Sequence, residues 1–112
     1  MSDRQIRNAR IRSTQLGIED HGVLTAFLHL EYAGSVQGFG GYALDDWREK
    51  EGRRVGTAWG MEFIARVLAL VGAEKWEDLP GHYVRADCDY SKVHRIGHIT
   101  EDRWFDPQDI PR

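Results

Sequence analysis

Alternation of apolar and polar residues predicts most of the strands in this chain. Every second residue from Leu24 to Tyr32 is apolar, and turn-forming residues at 19–22 separate this segment from an earlier one. Such alternation is typical of a strand with one buried face, and the acidic and glycine residues of the turn favour a hairpin. The pattern predicts strands at residues 5–16, 23–32, 34–44, 82–88 and 93–99.

A different spacing marks one helix at residues 58–71. Its apolar positions recur every three or four residues, as on the buried side of an amphipathic helix. Thr57 precedes it as a predicted N-cap, and Gly72 follows it as a predicted stop. The predicted core-facing stripe is Phe63, Ile64, Val67, Leu68 and Val71.

The order of these elements is β-β-β-α-β-β, which predicts an α+β fold. We expect an antiparallel sheet of about five strands with one main helix packed across one face. Residues 45–54 are dense in charge and are predicted to form a surface loop. The chain of 112 residues is expected to form a single domain, 1–112.

Charge and composition exclude several classes of protein. The net charge of −3 and the pI near 5.9 argue against a binder of duplex nucleic acid, which needs a basic face. The longest apolar run, residues 63–71, is too short to cross a membrane. The only cysteine, Cys88, excludes an internal disulfide. We therefore expect a cytoplasmic protein.

The candidate binding segment is residues 34–42, which contain four glycines and two aromatic rings. Glycine weakens a strand, so its abundance indicates either a sharply bent backbone or the close approach of another group. The first interpretation predicts a bulged strand packed under the helix. The second predicts a pocket in which bare amides and rings meet a planar, polar small ligand.

The pocket hypothesis assigns a role to each kind of side chain. Bases of the ligand would stack on aromatic rings, glycine amides would meet its polar edges, and arginines would meet its phosphates. The start of the predicted helix would add an anion-accepting end near Thr57. The predicted ligand-binding residues are Gln37, Phe39, Gly40, Gly41, Tyr42, Thr57, Trp59, Arg10, Arg12 and Arg85.

Catalytic and metal chemistry find little support. His94 and His98 would lie on one face of a strand but roughly 13 Å apart, too far to share an ion. Cys88 lies between two aspartates, which disfavour its thiolate, so a packed and inert cysteine is expected. We expect no catalytic residue, no metal site and no cofactor.

Four blocks of sequence resemble a family of small proteins encoded by tailed bacteriophages and prophages. They are residues 16–22, 37–45, 60–64 and 74–81, and together the resemblance covers nearly the whole chain. The nearest named group is the Thoeris anti-defence proteins, which trap a cyclic ADP-ribose signal. The resemblance implies an accessory protein that blunts host defences, but it transfers no binding residue to this chain.

Three functions remain open on this sequence. The first is a non-enzymatic, homo-oligomeric protein that sequesters a nucleotide second messenger, such as a cyclic ADP-ribose isomer or a cyclic oligonucleotide. The alternative is an inhibitor that binds a host defence protein through Trp47, Trp76 and Trp104, since tryptophan is enriched at interfaces. The third is a phosphodiesterase-type enzyme that uses His21 with Asp20 or Glu19.

Overall fold

A computed structural model describes residues 3–19 and 21–112. The fold is mixed α+β, as predicted. Two short 3₁₀ turns, Trp76–Asp78 and Pro107–Asp109, accompany the main elements. These elements are β1 (Gln5–Ile18), β2 (Leu24–Tyr32), β3 (Ser35–Ala43), β4 (Asp45–Arg48), β5 (Arg53–Gly56), α1 (Ala58–Val71), β6 (Tyr83–Cys88), β7 (Val93–His98) and β8 (Trp104–Phe105).

The main sheet has six antiparallel strands in the order β3-β2-β1-β6-β7-β8. The prediction of about five strands was close, and β8 is the additional one. Strand β1 lies in the centre, because it pairs with β2 on one side and with β6 on the other. Beyond the first 3₁₀ turn, the chain therefore returns to pair with the first strand, a contact that no local pattern indicates.

Residues 45–54 do not form the predicted loop. Strands β4 and β5 pair as a separate two-stranded hairpin, with Asp45 opposite Gly56 and Arg48 opposite Arg53. Gly52 has a φ of 62° in the turn between them, which favours glycine. Apart from Asp45 and Arg54, the charged side chains of this short ribbon are exposed, so their density indicated exposure and not irregular structure.

A bulge in β1 changes which residues share a face. Ile11 pairs with Leu30 but Ser13 pairs with His29, so the register shifts between them. Ala9 and Ile11 are buried, whereas Ser13, which strict alternation would place on the same face, is exposed on the other face. The bulge also interrupts the regular alternation that would place Arg10 and Arg12 on one face.

The hydrophobic core lies between α1 and one face of the main sheet. Phe63 of α1 packs against Phe39 of β3 and Phe105 of β8, with ring centroids 6.0 and 5.5 Å apart. We call the sheet face that carries Phe39 and Phe105 the inner face and the opposite one the outer face. Residues paired directly across strands share a face, so the register assigns the remaining positions. The inner face also carries Ala9, Ile11, Ala26, Leu28, Leu30, Val84, Ala86 and Ile96, all buried.

The predicted ends of the helix are confirmed. The Thr57 hydroxyl accepts a hydrogen bond from the Gly60 amide at 2.9 Å, which caps the first turn. Gly72 has a φ of 86°, and its amide donates to the Leu68 carbonyl at 2.9 Å. Gly60 allows α1 to begin directly against the backbone of Leu44, because a Cβ there would overlap that backbone. α1 is not long and apolar enough to span a membrane, and no other helix in the described ranges is.

A buried carboxylate joins the β4–β5 hairpin to the main sheet. Asp45 accepts a hydrogen bond from the Leu24 amide at 3.2 Å and pairs with the Arg54 guanidinium at 2.9 Å. The hydrogen bond from Arg54 holds the pKa of Asp45 below its ordinary value. The negative charge is therefore the form that the folded state favours.

We predict that Asp45→Asn destabilises the protein by about 1–3 kcal/mol at pH 7, because the charged partner of Arg54 is lost. A depressed pKa stabilises the fold above the ordinary aspartate pKa, and this contribution disappears as pH falls through the folded-state value. The difference in melting temperature between parent and variant should therefore stay constant from pH 7 to about pH 5 and shrink as the pH falls below about 4. Asp46→Asn, at the exposed neighbouring carboxylate, is the control. A difference that stays constant down to about pH 3 would contradict the prediction.

Candidate functional site

The glycine-rich segment makes room for a side chain of the protein itself. A Cβ on Gly41 would lie 2.6 Å from the ring of Phe27, and a Cβ on Gly40 would overlap the Ala26 carbonyl. Both glycines have a positive φ, 113° at Gly40 and 83° at Gly41. The register between β2 and β3 shifts at the same place, between Thr25 and Phe27. The bulged-strand interpretation therefore describes Gly40 and Gly41, and the space predicted for a ligand is filled by Phe27.

Phe39 lies in the core and offers no surface to a ligand. Its side chain is fully buried, stacked on Phe63 and in edge contact with Phe105. The prediction that a base stacks on this ring is corrected on that ground. Phe39 pairs with Leu28 and therefore lies on the inner face, under α1. The sequence alone did not specify which of the two sheet faces carries this ring.

Tyr42, Thr57 and Trp59 lie near one another, but not as the predicted pocket. The Thr57 hydroxyl donates to the Leu44 carbonyl at 3.2 Å as well as capping α1, so it is occupied. Tyr42 and Trp59 meet edge to face at 5.8 Å and line a cavity of about 410 Å³. Arg112 covers the Trp59 ring at 4.2 Å. This cavity is closed in part by other residues of the same chain, between positions 107 and 112.

The three predicted arginines do not converge on the glycine segment. Arg10 lies 3.8 Å from Glu31 on the outer face. Arg85 donates to the carbonyls of His98 and Glu101 at 2.8 and 2.7 Å, also on that face. Arg12 is exposed at the β1 bulge. These side chains therefore cannot contact the same small molecule as Tyr42 and Trp59.

A larger cleft of about 540 Å³ opens at the other end of the inner face. The cleft lies between β3 and the turn that joins β6 to β7. These segments approach each other although they are not neighbours in the sheet. The Gln37 side chain bridges this gap, since its Nε2 donates to the Asp89 carbonyl at 2.8 Å. Gln37 is the only predicted site residue among those that line the cleft. The lining is Asp3, Gln5, Arg7, Tyr32, Ser35, Val36, Gln37, Cys88, Asp89 and Tyr90.

Tyr32 supplies a neutral hydroxyl to this cleft. Its hydroxyl donates to Oε1 of Gln37, which holds both side chains in place. Burial, with a contact to Cys88, raises the pKa of Tyr32 to about 12. The phenol is therefore protonated at neutral pH and acts as a hydrogen-bonding group, not as a base.

Arg7 provides the cationic group of the cleft. Its Nε donates to Oε1 of Gln5 at 2.9 Å, and its guanidinium carbon lies 5.6 Å from the centre of the Tyr32 ring. Within residues 3–19 and 21–112, no protein acceptor bonds its two terminal nitrogens. A planar cation held at one nitrogen, with two nitrogens free, is suited to bind a phosphate or carboxylate.

Asp89 shapes the wall of the cleft without offering a free carboxylate. Its Oδ1 accepts from the amides of Ser91 and Lys92 at 2.8 and 3.0 Å, and its Oδ2 lies 2.8 Å from Nε2 of His94. The Ser91 hydroxyl and then His94 hold the pKa of Asp89 well below its usual range. The β6–β7 turn is thereby fixed, and Tyr90 at its tip is 93% exposed at the rim of the cleft.

The side chains considered for metal binding or catalysis do not form a site among the described residues. In the part of the chain that the structure describes, no three metal-ligating side chains come together. Cys88 is buried, as expected. The carboxylate of Glu19 accepts from the Thr25 hydroxyl at 3.0 Å, His21 is exposed, and Asp20 lies outside the described residues.

Sequence reasoning missed Gln5, Arg7 and Tyr32 as site residues. The signal was present in part, since Arg7 belongs to the run of arginines on the first strand and Tyr32 ends the apolar face of the second. Their convergence depends on the pairing of β1 with both β2 and β6. Comparison with protein-family models, curated proteins and solved structures finds no match to this chain.

Proposed function

We propose that the protein binds a small anionic ligand of nucleotide type in the cleft at Arg7, without chemical turnover. The observation that carries this proposal is the pair of guanidinium nitrogens of Arg7, bonded by no described residue, on a side chain that lies over the ring of Tyr32. The cleft volume of about 540 Å³ falls within the range of small-molecule sites. Arg7 would hold a phosphate, and the exposed ring of Tyr90 would cover a base at the rim.

The groups around the cleft favour binding over catalysis. A general base must have a free lone pair at neutral pH, and a nucleophile must be accessible. The Tyr32 phenol is protonated, the Asp89 carboxylate is hydrogen-bonded at both oxygens, and the Cys88 thiol is buried. These side chains can orient a ligand by hydrogen bonding, but none is placed to attack it.

The nature of the ligand follows from the charge of Arg7 and from the resemblance to phage proteins. A cyclic ADP-ribose isomer or a cyclic dinucleotide carries both the phosphates and the flat rings that the cleft accepts. Binding such a signal would remove it from a host defence pathway, so the protein would act as an anti-defence trap. A homo-oligomer, which would close the open side of the cleft with a second copy, is part of this proposal.

The prediction is tested with cyclic ADP-ribose isomers and cyclic dinucleotides in a thermal-shift assay. A ligand at 100 times its Kd should stabilise the protein by about 2.7 kcal/mol, which raises the melting temperature by roughly 5–15 °C. Arg7→Ala should weaken binding roughly 10- to 100-fold, because a charge-assisted contact is lost.

Arg66→Ala on the solvent side of α1 is the matched control, and it should bind as the parent does. Calorimetry on the same variants separates affinity from stability, and light scattering reports the oligomeric state. If none of these nucleotides binds the parent protein at millimolar concentration, the proposed function is wrong.

A protein-binding role remains a second candidate because of the β4–β5 hairpin. Trp47 on that hairpin is 54% exposed, whereas Trp76 and Trp104 are half-buried against the body. An exposed tryptophan on a projecting ribbon is a typical anchor for a partner. Recovery of a stoichiometric protein from host lysate by the parent, and its loss in Trp47→Ala, would favour this role.

A further inference from the structure

The outer face of the main sheet is open to solvent over β1, β6, β7 and β8. Ile6 and Tyr83 on this face are 55% and 56% exposed. The core and α1 lie on the opposite side, against Phe39 and Phe105. An antiparallel sheet with one covered face has its second face available for contact.

Positive charge is concentrated on this face although the protein is acidic overall. Arg10 and Tyr83 are paired across β1 and β6, and Asp87 is paired with Arg95 across β6 and β7. Arg4, Arg10, Arg85 and Arg95 lie on it, opposed by Asp87 and Glu31. The chain as a whole has a net charge of −3, so this surface has the opposite sign to the rest. Its charge is complementary to a polyanion.

An aromatic ring lies flat within this charged surface. Gly97 pairs with Trp104, and a Cβ on Gly97 would lie 2.8 Å from the indole ring. The guanidinium carbons of Arg85 and Arg95 lie 4.7 and 4.2 Å from the ring centre. Glycine thus lets the tryptophan rest on the sheet, where its ring is covered by the two guanidinium groups and holds them in place.

Asp87 holds two arginines of the outer face, Arg4 and Arg95, in position. It is buried and accepts two hydrogen bonds from Arg4, at 3.0 and 2.9 Å, and one from Arg95 at 2.6 Å. These contacts, Arg4 first, hold the pKa of Asp87 below its ordinary value. One carboxylate therefore orients two arginines, and their combined charge exceeds its own.

We propose that this outer face binds single-stranded nucleic acid, with phosphates at Arg10, Arg85 and Arg95 and a base stacked on the exposed ring of Tyr83. Aromatic rings on an exposed sheet stack bases in a manner that tolerates different sequences. From β1 to β8 the face crosses three strand spacings, roughly 14 Å, which suits a segment of two or three nucleotides. A duplex is excluded as the preferred partner because its bases are stacked on one another and its grooves require a projecting element.

This surface is separate from the cleft of the proposed function. Gln5 and Arg7 of β1 point to the inner face. Ile6 lies between them on β1, and it points to the outer face together with its cross-strand partner Asp87. The two sites therefore lie on opposite sides of β1. Loss of one activity by substitution should leave the other intact.

The test is fluorescence anisotropy with labelled oligonucleotides of about 12 nucleotides and mixed sequence, as RNA, as DNA and as a duplex. The parent should bind both single strands more tightly than the duplex. If three phosphates are contacted, affinity should fall roughly 20-fold between about 50 and 200 mM salt. Tighter binding of RNA than of DNA would assign a contact to the 2′-hydroxyl, and equal binding would assign recognition to phosphates and bases alone.

Variants then locate the contact. Tyr83→Ala and Arg10→Ala are at exposed positions where folding should be retained, and each should weaken single-strand binding roughly 5- to 100-fold. Trp47→Ala and Arg66→Ala remove an exposed aromatic ring and an exposed arginine elsewhere, and they should bind as the parent does. No binding of single strands at the lower salt would overturn the proposal. An equal loss in the two control variants, or tighter binding of the duplex, would also overturn it.

Discussion

Phe63→Ala is expected to lower the free energy of unfolding by about 3–5 kcal/mol. The ring is fully buried and contacts four other aromatic rings, with centroids 5.5 to 6.0 Å away. Its removal leaves a cavity where α1 meets β3 and β8, and this cavity cannot close without moving the helix. Because small domains have total stabilities of about 5–15 kcal/mol, the variant should be near the limit of folding.

Urea denaturation followed by tryptophan fluorescence measures this loss. Met61→Ala is the matched control on the same helix, because Met61 is exposed and its truncation should change stability by less than about 0.5 kcal/mol. A loss of less than about 1 kcal/mol in Phe63→Ala would mean that α1 does not pack on the sheet through this ring.

Gly40→Ala is expected to lower the free energy of unfolding by about 2–5 kcal/mol. Gly40 has a φ of 113°, a backbone conformation that side chains rarely adopt, and a Cβ there would overlap the Ala26 carbonyl. Strain of this kind costs roughly 1–3 kcal/mol, and overpacking against backbone adds a similar amount. The same urea titration measures the loss.

Substitutions at two other glycines distinguish the cost of backbone strain from the cost of overpacking. Gly34 has a φ of 77° but open space around it, so Gly34→Ala should cost only about 1–2 kcal/mol from the backbone. Gly17 has neither a positive φ nor a neighbour within 4 Å, and Gly17→Ala should be close to neutral. If Gly40→Ala were as harmless as Gly17→Ala, the tight packing of β3 on β2 would be wrong.

The helix was predictable because its signals are local. Thr57 and Gly72 are separated by one amphipathic segment, and both form the caps that their residue types favour. The alternating face of β2 was equally clear, with Ala26, Leu28 and Leu30 buried. In these segments a few neighbouring residues determine the structure.

The arrangement of strands was not predictable from local patterns. β1 pairs with β6 across a separation of more than sixty residues, from Gln5 opposite Cys88 to Arg10 opposite Tyr83. The β4–β5 hairpin was hidden by its charge, because both of its strands are largely exposed. Two-residue β8 is too short to show alternation.

The candidate site was even less predictable from local patterns than the arrangement of strands. Gln37 was predicted to bind a ligand and does line the cleft, but its neighbours there come from distant segments. The aromatic residues beside it in sequence alternate to other places, Phe39 into the core and Tyr42 toward Trp59. A glycine-rich string indicates a close approach, yet it does not say what approaches, and here it is Phe27.

The fit of Phe27 over its glycines restricts how this chain can diverge. Gly38 has an ordinary φ, and a Cβ there would lie 3.4 Å from the Phe27 ring, so only the size of residue 27 opposes a larger residue at 38. Gly41 is restricted by its φ of 83° as well. In homologues, substitution at 38 should therefore accompany a smaller residue at 27, whereas glycine at 41 should persist whatever occupies 27.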